Sequence, residues 1–459
     1  LGGPSRGLSV RGARAAWLWR NMGDPEAQKP AALPEDPEEL VRLLSDPDEC
    51  GDGAMEGFSR RLKQEVEALA VAEFLERMRL PCVCIDVRSP AEWEHGHIPG
   101  SHNLPLFNNE ERAEVGTKFK KAGRLQAMRI GMDRVRPKLE MLVTEARALV
   151  EQTTPGQDSI LVHCWRGGMR SKAVAFLMKT RGGLSVHTLQ GGYKAFRAWG
   201  MGQYCYLGDS RALQRKQGQR PAEDLNEEHA SEEDWRQRHP RTPTVVIIGG
   251  RTGCGKTRVL HALRDSFGKQ VIDLEGLANH CGSAFGWVGH KPQPSTQHFG
   301  NMVAMEWAAM DPEQPVFIED EGPNVGKVSV PPGLYRRMRD APIILRLKVP
   351  FPHRISVLVE AYASPEAREK TPDWRARMER AISGLHRRLG PERVAEALKL
   401  LETDDANGFG EFMLNYYDGL YDKHIKNASG TGGGKGVRSG DLYDIDCEDL
   451  DAYDEVEIS

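Results

Sequence analysis

One stretch narrows the fold more than any other: "TVVIIGGRTGCGKT", residues 244–257. An apolar, β-branched run enters a loop of glycines that closes on Lys256 and Thr257, and "RVLHALRDSF" (258–267) continues at helical spacing. Strand, glycine loop and helix in that order build one unit of a parallel α/β sheet. Gly250, Gly253 and Gly255 let the backbone wrap a phosphate, Lys256 supplies a point charge, and the Thr257 hydroxyl suits a magnesium ion. Cys254 reads as a small filler inside the loop. Farther on, "VFIEDEG" (316–322) is an apolar run ending in acids, with Asp320 the candidate carboxylate on the magnesium side. Ordinary strand-end acids would look the same.

A second strand–loop–helix unit lies upstream in "SILVHCWRGGMRS" (159–171). Here the loop presents Cys164, Arg166, Gly167, Gly168 and Arg170 ahead of the helix "SKAVAFLMKT" (171–180). Inward backbone N–H groups of such a loop form an anion nest, and a thiolate at its mouth is stabilised as a nucleophile. A buried structural cysteine is the commoner fate of a lone Cys. It gives no reason for His-Cys, two glycines and two arginines within eight residues.

Strands alternate with helices along the remainder. A helix is expected over about 58–80, a strand in "PCVCIDVRS" (81–89), and an amphipathic helix in "DRVRPKLEMLVTEARALVEQ" (133–152). Residues 206–242 are charged and without apolar period, as a linker is. The expected organisation is an N-terminal extension over 1–57, one α/β domain over 58–205, the linker, a second α/β domain over 243–427, and a Gly-rich hinge with a disordered acidic tail over 428–459. That tail carries nine acids after residue 438 and no Lys or Arg, so the net charge of −4 hides a mildly basic body. The basic balance permits a nucleic-acid partner without arguing for one.

Eight cysteines in 459 residues form neither a disulfide framework nor a paired-CxxC zinc pattern, which favours a reducing compartment. No run approaches the ~18–20 apolar residues of a membrane helix. The first residues, "LGGPSRGLSVRGARAAWLWRN", hold four arginines and no acid. They read either as an organelle transit peptide or as sequence upstream of a start at Met22. Localisation is accordingly expected to be cytoplasmic, or organellar with a transit peptide.

The cysteine loop resembles the rhodanese active-site loop, and "CIDVRSPAEWEHGHIPGSHNLPL" (84–106) resembles the other rhodanese hallmark. The loop also fits H-C-x(5)-R, the signature of cysteine phosphatases, some of which share the rhodanese fold. Ordinary sulfurtransferases have a shorter loop, and the longer one here widens the cradle toward a phosphate-sized ligand. A rhodanese-like parallel-sheet domain followed by a phosphate-loop NTPase-like α/β domain resembles the tRNA 2-selenouridine synthase family. The stretches that carry this resemblance include "NLPLFNNEERAEVGTKFKKAG" (103–123), "LQGGYKAFR" (189–197), "DLEGLANHCGSAFG" (273–286), "PQPSTQHFGN" (292–301), "LYRRMRDAP" (334–342) and "LNYYDGLYDKHI" (414–425).

The resemblance implies exchange of sulfur for selenium in the wobble 2-thiouridine of a tRNA. Selenophosphate and geranyl diphosphate are the implied substrates, with an S-geranylated intermediate and no tightly bound cofactor. Magnesium is a candidate companion of the diphosphate. Cys164 is implied to carry selenium as a selenylsulfide, and Gly96, in "EHGHIPG", matches a glycine position the family needs. The phosphate loop could then hold the prenyl donor rather than a nucleotide. The tRNA is expected on basic stretches such as "YRRMRD" and "LHRRLG" (385–390), although each arginine alone reads as a solvated helix face. The main rival is a rhodanese-fold cysteine phosphatase with an attached nucleotide-binding domain. Another is a docking domain beside a phosphate-loop kinase or ATPase.

Overall fold

The computed structural model describes residues 52–204, 242–428 and 440–447. By its contacts the chain divides into two compact units. The first comprises residues 1–91 and 101–193, the second residues 92–100 and 194–459.

The first unit holds helices α1 (Asp52–Glu65), α2 (Val71–Arg77), α4 (Asn109–Val135), α5 (Leu139–Thr153) and α6 (Met169–Thr180). Helices α3 (Pro90–His95) and α7 (Gly192–Gly202) each cross into the second unit. The first unit's strands are β1 (Ala68–Leu69), β2 (Val83–Asp86), β3 (Ser101–Asn103), β4 (Ser159–His163) and β5 (Ser185–Leu189). They form one parallel sheet in the order β1-β5-β4-β2-β3. The helix expected over 58–80 is interrupted, because Ala68 and Leu69 pair with Thr188 and Leu189 of β5. Strand β4 is buried at Ile160, Leu161 and Val162, as a central parallel strand covered on both faces must be. The chain steps one way from β2 to β3 and the other way from β4 to β5. The switch point therefore lies between the ends of β4 and β2, where α/β sheets bind ligands. Cys164 stands at that point.

The second unit has β6 (Val245–Gly250), β7 (Gln270–Ile272), β8 (Val316–Glu319), β11 (Ile343–Lys348) and β12 (Asp441–Asp446) in a parallel sheet ordered β12-β11-β6-β8-β7. A two-stranded ribbon, β9 (Asn324–Val325) with β10 (Val328–Ser329), stands apart. Helices α8 (Lys256–Asp265), α9 (Leu274–Ala278), α10 (Thr296–Ala308) and α11 (Pro332–Arg339) accompany the sheet. A helical subdomain follows from α12 (Phe351–Ala363) through α13 (Pro365–Glu369), α14 (Trp374–Gly384), α15 (His386–Leu389), α16 (Pro391–Glu402) and α17 (Ala406–Ala428). Its core gathers Phe285, Tyr362, Trp374, Ile382, Phe409 and Met413.

One part of the acidic tail departs from the expected disorder. Asp441–Asp446 adds β12 to the sheet edge, where Asp444 pairs with Arg346 and Lys348 at 2.6 and 2.7 Å. One acid of this short run thus meets two cations on β11, which composition alone does not reveal. The N-terminal extension through residue 51, nearly all of the linker, the hinge and the last twelve residues lie outside the described residues. Among those described, no helix is long and apolar enough to cross a membrane.

Candidate active site

Cys164 follows β4 directly and is 3% exposed. Its Sγ lies 3.3 Å from the Ser171 hydroxyl, which also reaches the Gly168 carbonyl at 3.2 Å. The backbone of the loop is wedged against a second glycine loop ahead of α7. The Tyr193 N–H donates to the Cys164 carbonyl at 2.8 Å. Gly167, at φ 63°, and Gly192, at φ 61°, face each other so closely that no side chain fits either. A Cβ on Gly192 would stand 2.4 Å from both the Cys164 carbonyl oxygen and the Gly167 nitrogen. One on Gly167 would meet the Leu189 carbonyl oxygen at 2.5 Å.

Beneath the loop lies a buried ion pair. Arg88 and Asp86 are both fully buried, with Nη2 donating to Oδ2 at 2.6 Å and Nε to Oδ1 at 3.0 Å. The Arg88 guanidinium stacks over the Tyr193 ring at 3.9 Å and approaches Trp165 at 5.9 Å. Burial alone would raise the Asp86 pKa, and the facing His163 and hydrogen-bonded Arg88 hold it below its ordinary value. Burial lowers the His163 pKa despite Asp86. The "DVR" of the sequence thus supports the cysteine loop from below rather than reaching into it.

Cys164, Arg166, Gly167, Gly168 and Arg170 line one open cavity together. Gly96 is not among them. It belongs to the 92–100 segment, which groups with the second unit, where Asn301 Nδ2 donates to the His97 carbonyl at 2.6 Å. The His97 ring lies 3.8 Å from both Trp93 and His298.

In the second unit the phosphate loop has the backbone its glycines foretell. Gly253 and Gly255 are left-handed at φ 78° and 76°, and Gly255 caps α8 so that Lys256 opens the helix. A Cβ on Gly250 would press on Cys254 Sγ at 2.5 Å. Burial disfavours the Lys256 charge, but Cys254, Glu321, Glu275 and Asp320 outweigh it and raise its pKa. The Thr257 hydroxyl donates to Glu275 Oε2 at 2.9 Å. Asp320 is occupied otherwise, bound to Arg339 at 2.7 Å. Glu275, Glu319 and Glu321 therefore join Asp320 around the loop, and sequence reading had singled out none of the three.

Burial pushes Glu319 well above the usual carboxylate range and Glu321 up to about 7, with Glu275 adding to both. Glu319 Oε2 is buried without a hydrogen-bond partner. An orphaned, buried carboxylate oxygen on Glu319, whose other oxygen accepts from the Glu275 N–H at 2.8 Å, fits a hard divalent cation. Among the described residues no three acids, histidines or cysteines converge into a metal site by themselves, so phosphate oxygens and water would complete the shell, as magnesium commonly requires.

Each loop lies within a region that matches a known family model. The family model described as the tRNA 2-selenouridine synthase AAA domain matches residues 243–437, and the rhodanese-like domain matches residues 70–198. The chain is 34% identical over 362 residues to a tRNA 2-selenouridine synthase of Hydrogenovibrio crunogenus, covering 74% of this chain and 89% of that protein. The chain belongs to the tRNA 2-selenouridine synthase family. Synthases of Sulfurovum sp. and Marinobacter nauticus are each 32% identical, and each match covers 75% of this chain and 89% of the relative.

Stretches that carried the resemblance without legible chemistry have physical roles in the structure. "LQGGY" supplies the glycine that touches the Cys164 carbonyl. "DLEG" supplies Asp273, which caps α9, and Glu275. In "LNYYDG", Asp418 grips Arg354 through both carboxylate oxygens at 2.6 and 2.8 Å, and Arg354 Nε donates to the phosphate-loop carbonyl of Thr252 at 2.8 Å. In "YRRMRD", Arg337 donates to the Tyr204 carbonyl and Arg339 holds Asp320, so these two serve packing rather than a free basic surface. Arg387 and Arg388 are exposed.

Proposed function

We propose that this chain is a tRNA 2-selenouridine synthase, a transferase that replaces sulfur by selenium in the wobble 2-thiouridine of tRNA. The observation that carries this reading is an intact cysteine loop and an intact phosphate loop in one chain of that family. Selenophosphate supplies the selenium and geranyl diphosphate the prenyl group. In the first step the 2-thio sulfur attacks C1 of geranyl diphosphate and diphosphate leaves. In the second, selenium attacks C2 of the S-geranylated base, geranyl thiol departs, and water takes the phosphorus to phosphate. No oxidation state changes in either step. A selenylsulfide on Cys164 would draw on an added oxidant and reductant, so the displacement is the form preferred here, with Cys164 the thiol on which selenium transfer depends.

Lys256 and the glycines of its loop would bind the leaving diphosphate. Thr257, Glu275 and Glu319 are suited to holding a magnesium ion that neutralises it, with Asp320 behind them on Arg339. Arg166 and Arg170 would meet the phosphate of the selenium donor. The phosphatase reading is weaker, because among the described residues the cavity lining at Cys164 contains no carboxylic acid to protonate a leaving alkoxide. The reaction is placed in the cytoplasm, or in an organelle if the N-terminal arginine-rich segment directs it there. Nucleoside mass spectrometry decides the matter. 2-Thiouridine tRNA incubated with the protein, selenophosphate and geranyl diphosphate should yield 2-selenouridine. Release of phosphate from a generic phosphoester with no new nucleoside would overturn it.

A further inference from the structure

The cavity beside Cys164 is larger and more apolar than transfer of one selenium atom requires. It encloses about 1400 Å³ and lies wholly within the first unit. Small-molecule pockets usually hold about 300–1,000 Å³. Its walls are Phe107, Met128, Met132, Leu139, Phe176 and Leu177, and the cysteine loop contributes Cys164, Arg166 and Arg170. Helix α4 forms much of one side. It is broken at Gly123, whose φ of 83° and ψ of −176° leave the helical region, so its two halves face the cavity separately. Phe119, 57% exposed, sits on the same lining, an aromatic ring left facing solvent. Lys120, Arg124 and Arg166 are exposed around it.

An apolar chamber with a thiol and arginines at one wall and exposed cations around it selects a ligand of matching composition. That ligand has a hydrocarbon portion, a reacting chalcogen centre and a polyanionic carrier. We propose that this cavity binds the prenyl chain of an S-prenylated nucleobase, holding its C2 against Cys164 while the RNA backbone lies on the exposed lysine and arginines. The inference rests on the S-geranyl intermediate proposed above. The volume admits the base together with a branched ten-carbon chain, and the two methionines give walls that adapt to a flexible one. Prenyl donor and prenyl product then use different places: diphosphate at Lys256, the transferred chain at Cys164. The family stretch at 103–123 gains a purpose, since its second half is cavity wall.

The test uses full-length protein and three anticodon stem-loop RNAs bearing 2-thiouridine, its S-methyl derivative or its S-geranyl derivative. Wild-type protein should bind the S-geranyl RNA about tenfold or more tightly than the S-methyl RNA. Ala127→Trp, which fills the cavity from α4, should erase that difference. Phe119→Ser should reduce it severalfold, and that position is too exposed for the change to unfold the protein. Equal binding of S-methyl and S-geranyl RNA by wild type would overturn the proposal. So would discrimination that survives both substitutions. Selenation of the S-geranyl RNA is followed in parallel. Chain-length discrimination without 2-selenouridine would leave the cavity assignment standing and remove the proposed reaction, whereas 2-selenouridine without discrimination would do the reverse.

Discussion

Cys164 and Lys256 divide the labour of the two loops, and substitution should separate them. Cys164→Ser is expected to abolish 2-selenouridine formation while S-geranyl-tRNA still accumulates. Lys256→Ala should reduce geranylation by about 100-fold or more, and leave preformed S-geranyl tRNA competent for selenation. Nucleoside mass spectrometry reads both; failure of Cys164→Ser to accumulate S-geranyl tRNA, or failure of Lys256→Ala to selenate preformed S-geranyl tRNA, would show that the loops do not act separately. Asp86 offers a contrasting single-residue prediction. Asp86→Ala strands the fully buried Arg88 guanidinium, so unfolding in denaturant should show a loss of about 3–5 kcal/mol. Of these residues, Cys164, Lys256 and Thr257 were legible because each belongs to a contiguous motif. The partnership of Arg88 with Tyr193 spans over a hundred positions and has no local signature.

At the scale of elements, the cysteine loop keeps its shape because a second loop fills the space a side chain would need. Gly192→Ala should displace the Cys164 backbone and lower selenation by about 100-fold, the loss expected of a misplacement near 1 Å. Gly183→Ala is the control. Its φ of 62° is equally left-handed, but the nearest atom to a new Cβ is Arg147 Nη2 at 3.7 Å, so about 1–2 kcal/mol of stability should go while activity remains. Helix α10 adds a pH dependence. Burial, and then the neighbouring His97, lower the His298 pKa to about 4. A histidine depressed on folding binds its proton better when unfolded. Its contribution to stability is therefore full above about 6.5 and falls as pH drops toward about 4. Thermal melts of His298→Phe should lose that part of the pH dependence. An unchanged acid limb would place its origin elsewhere.

For the molecule as a whole, the acidic tail contributes to the second sheet. Strand β12 covers the edge of β11, and Cys447 packs at 5% exposure against Ile248, Cys254 and Leu260, the core beneath the phosphate loop. Ending the chain before Gly440 should lower the melting temperature by several degrees and weaken binding of geranyl diphosphate. The Arg346 and Lys348 partners hold the Asp444 carboxyl well below its usual range, yet the residue is exposed. Salt should therefore weaken this attachment, and high ionic strength should narrow the stability gap between full-length and shortened chains. A shortened chain with unchanged melting and binding would make β12 dispensable.

What the sequence determined by itself is whatever short-range order can encode. The two strand–loop–helix units and their parallel α/β character were legible because glycine, cysteine and lysine at fixed spacing act through the local backbone. Family membership followed from the order of many such stretches. Tertiary structure alone decided which carboxylate meets Thr257, that Asp418 braces the phosphate loop through Arg354, and that an apolar chamber opens at Cys164. It also turned six acidic-tail residues into a strand. In each case the partners are distant in sequence, and their energies arise from burial and charge pairing that exist only once the chain has folded back on itself.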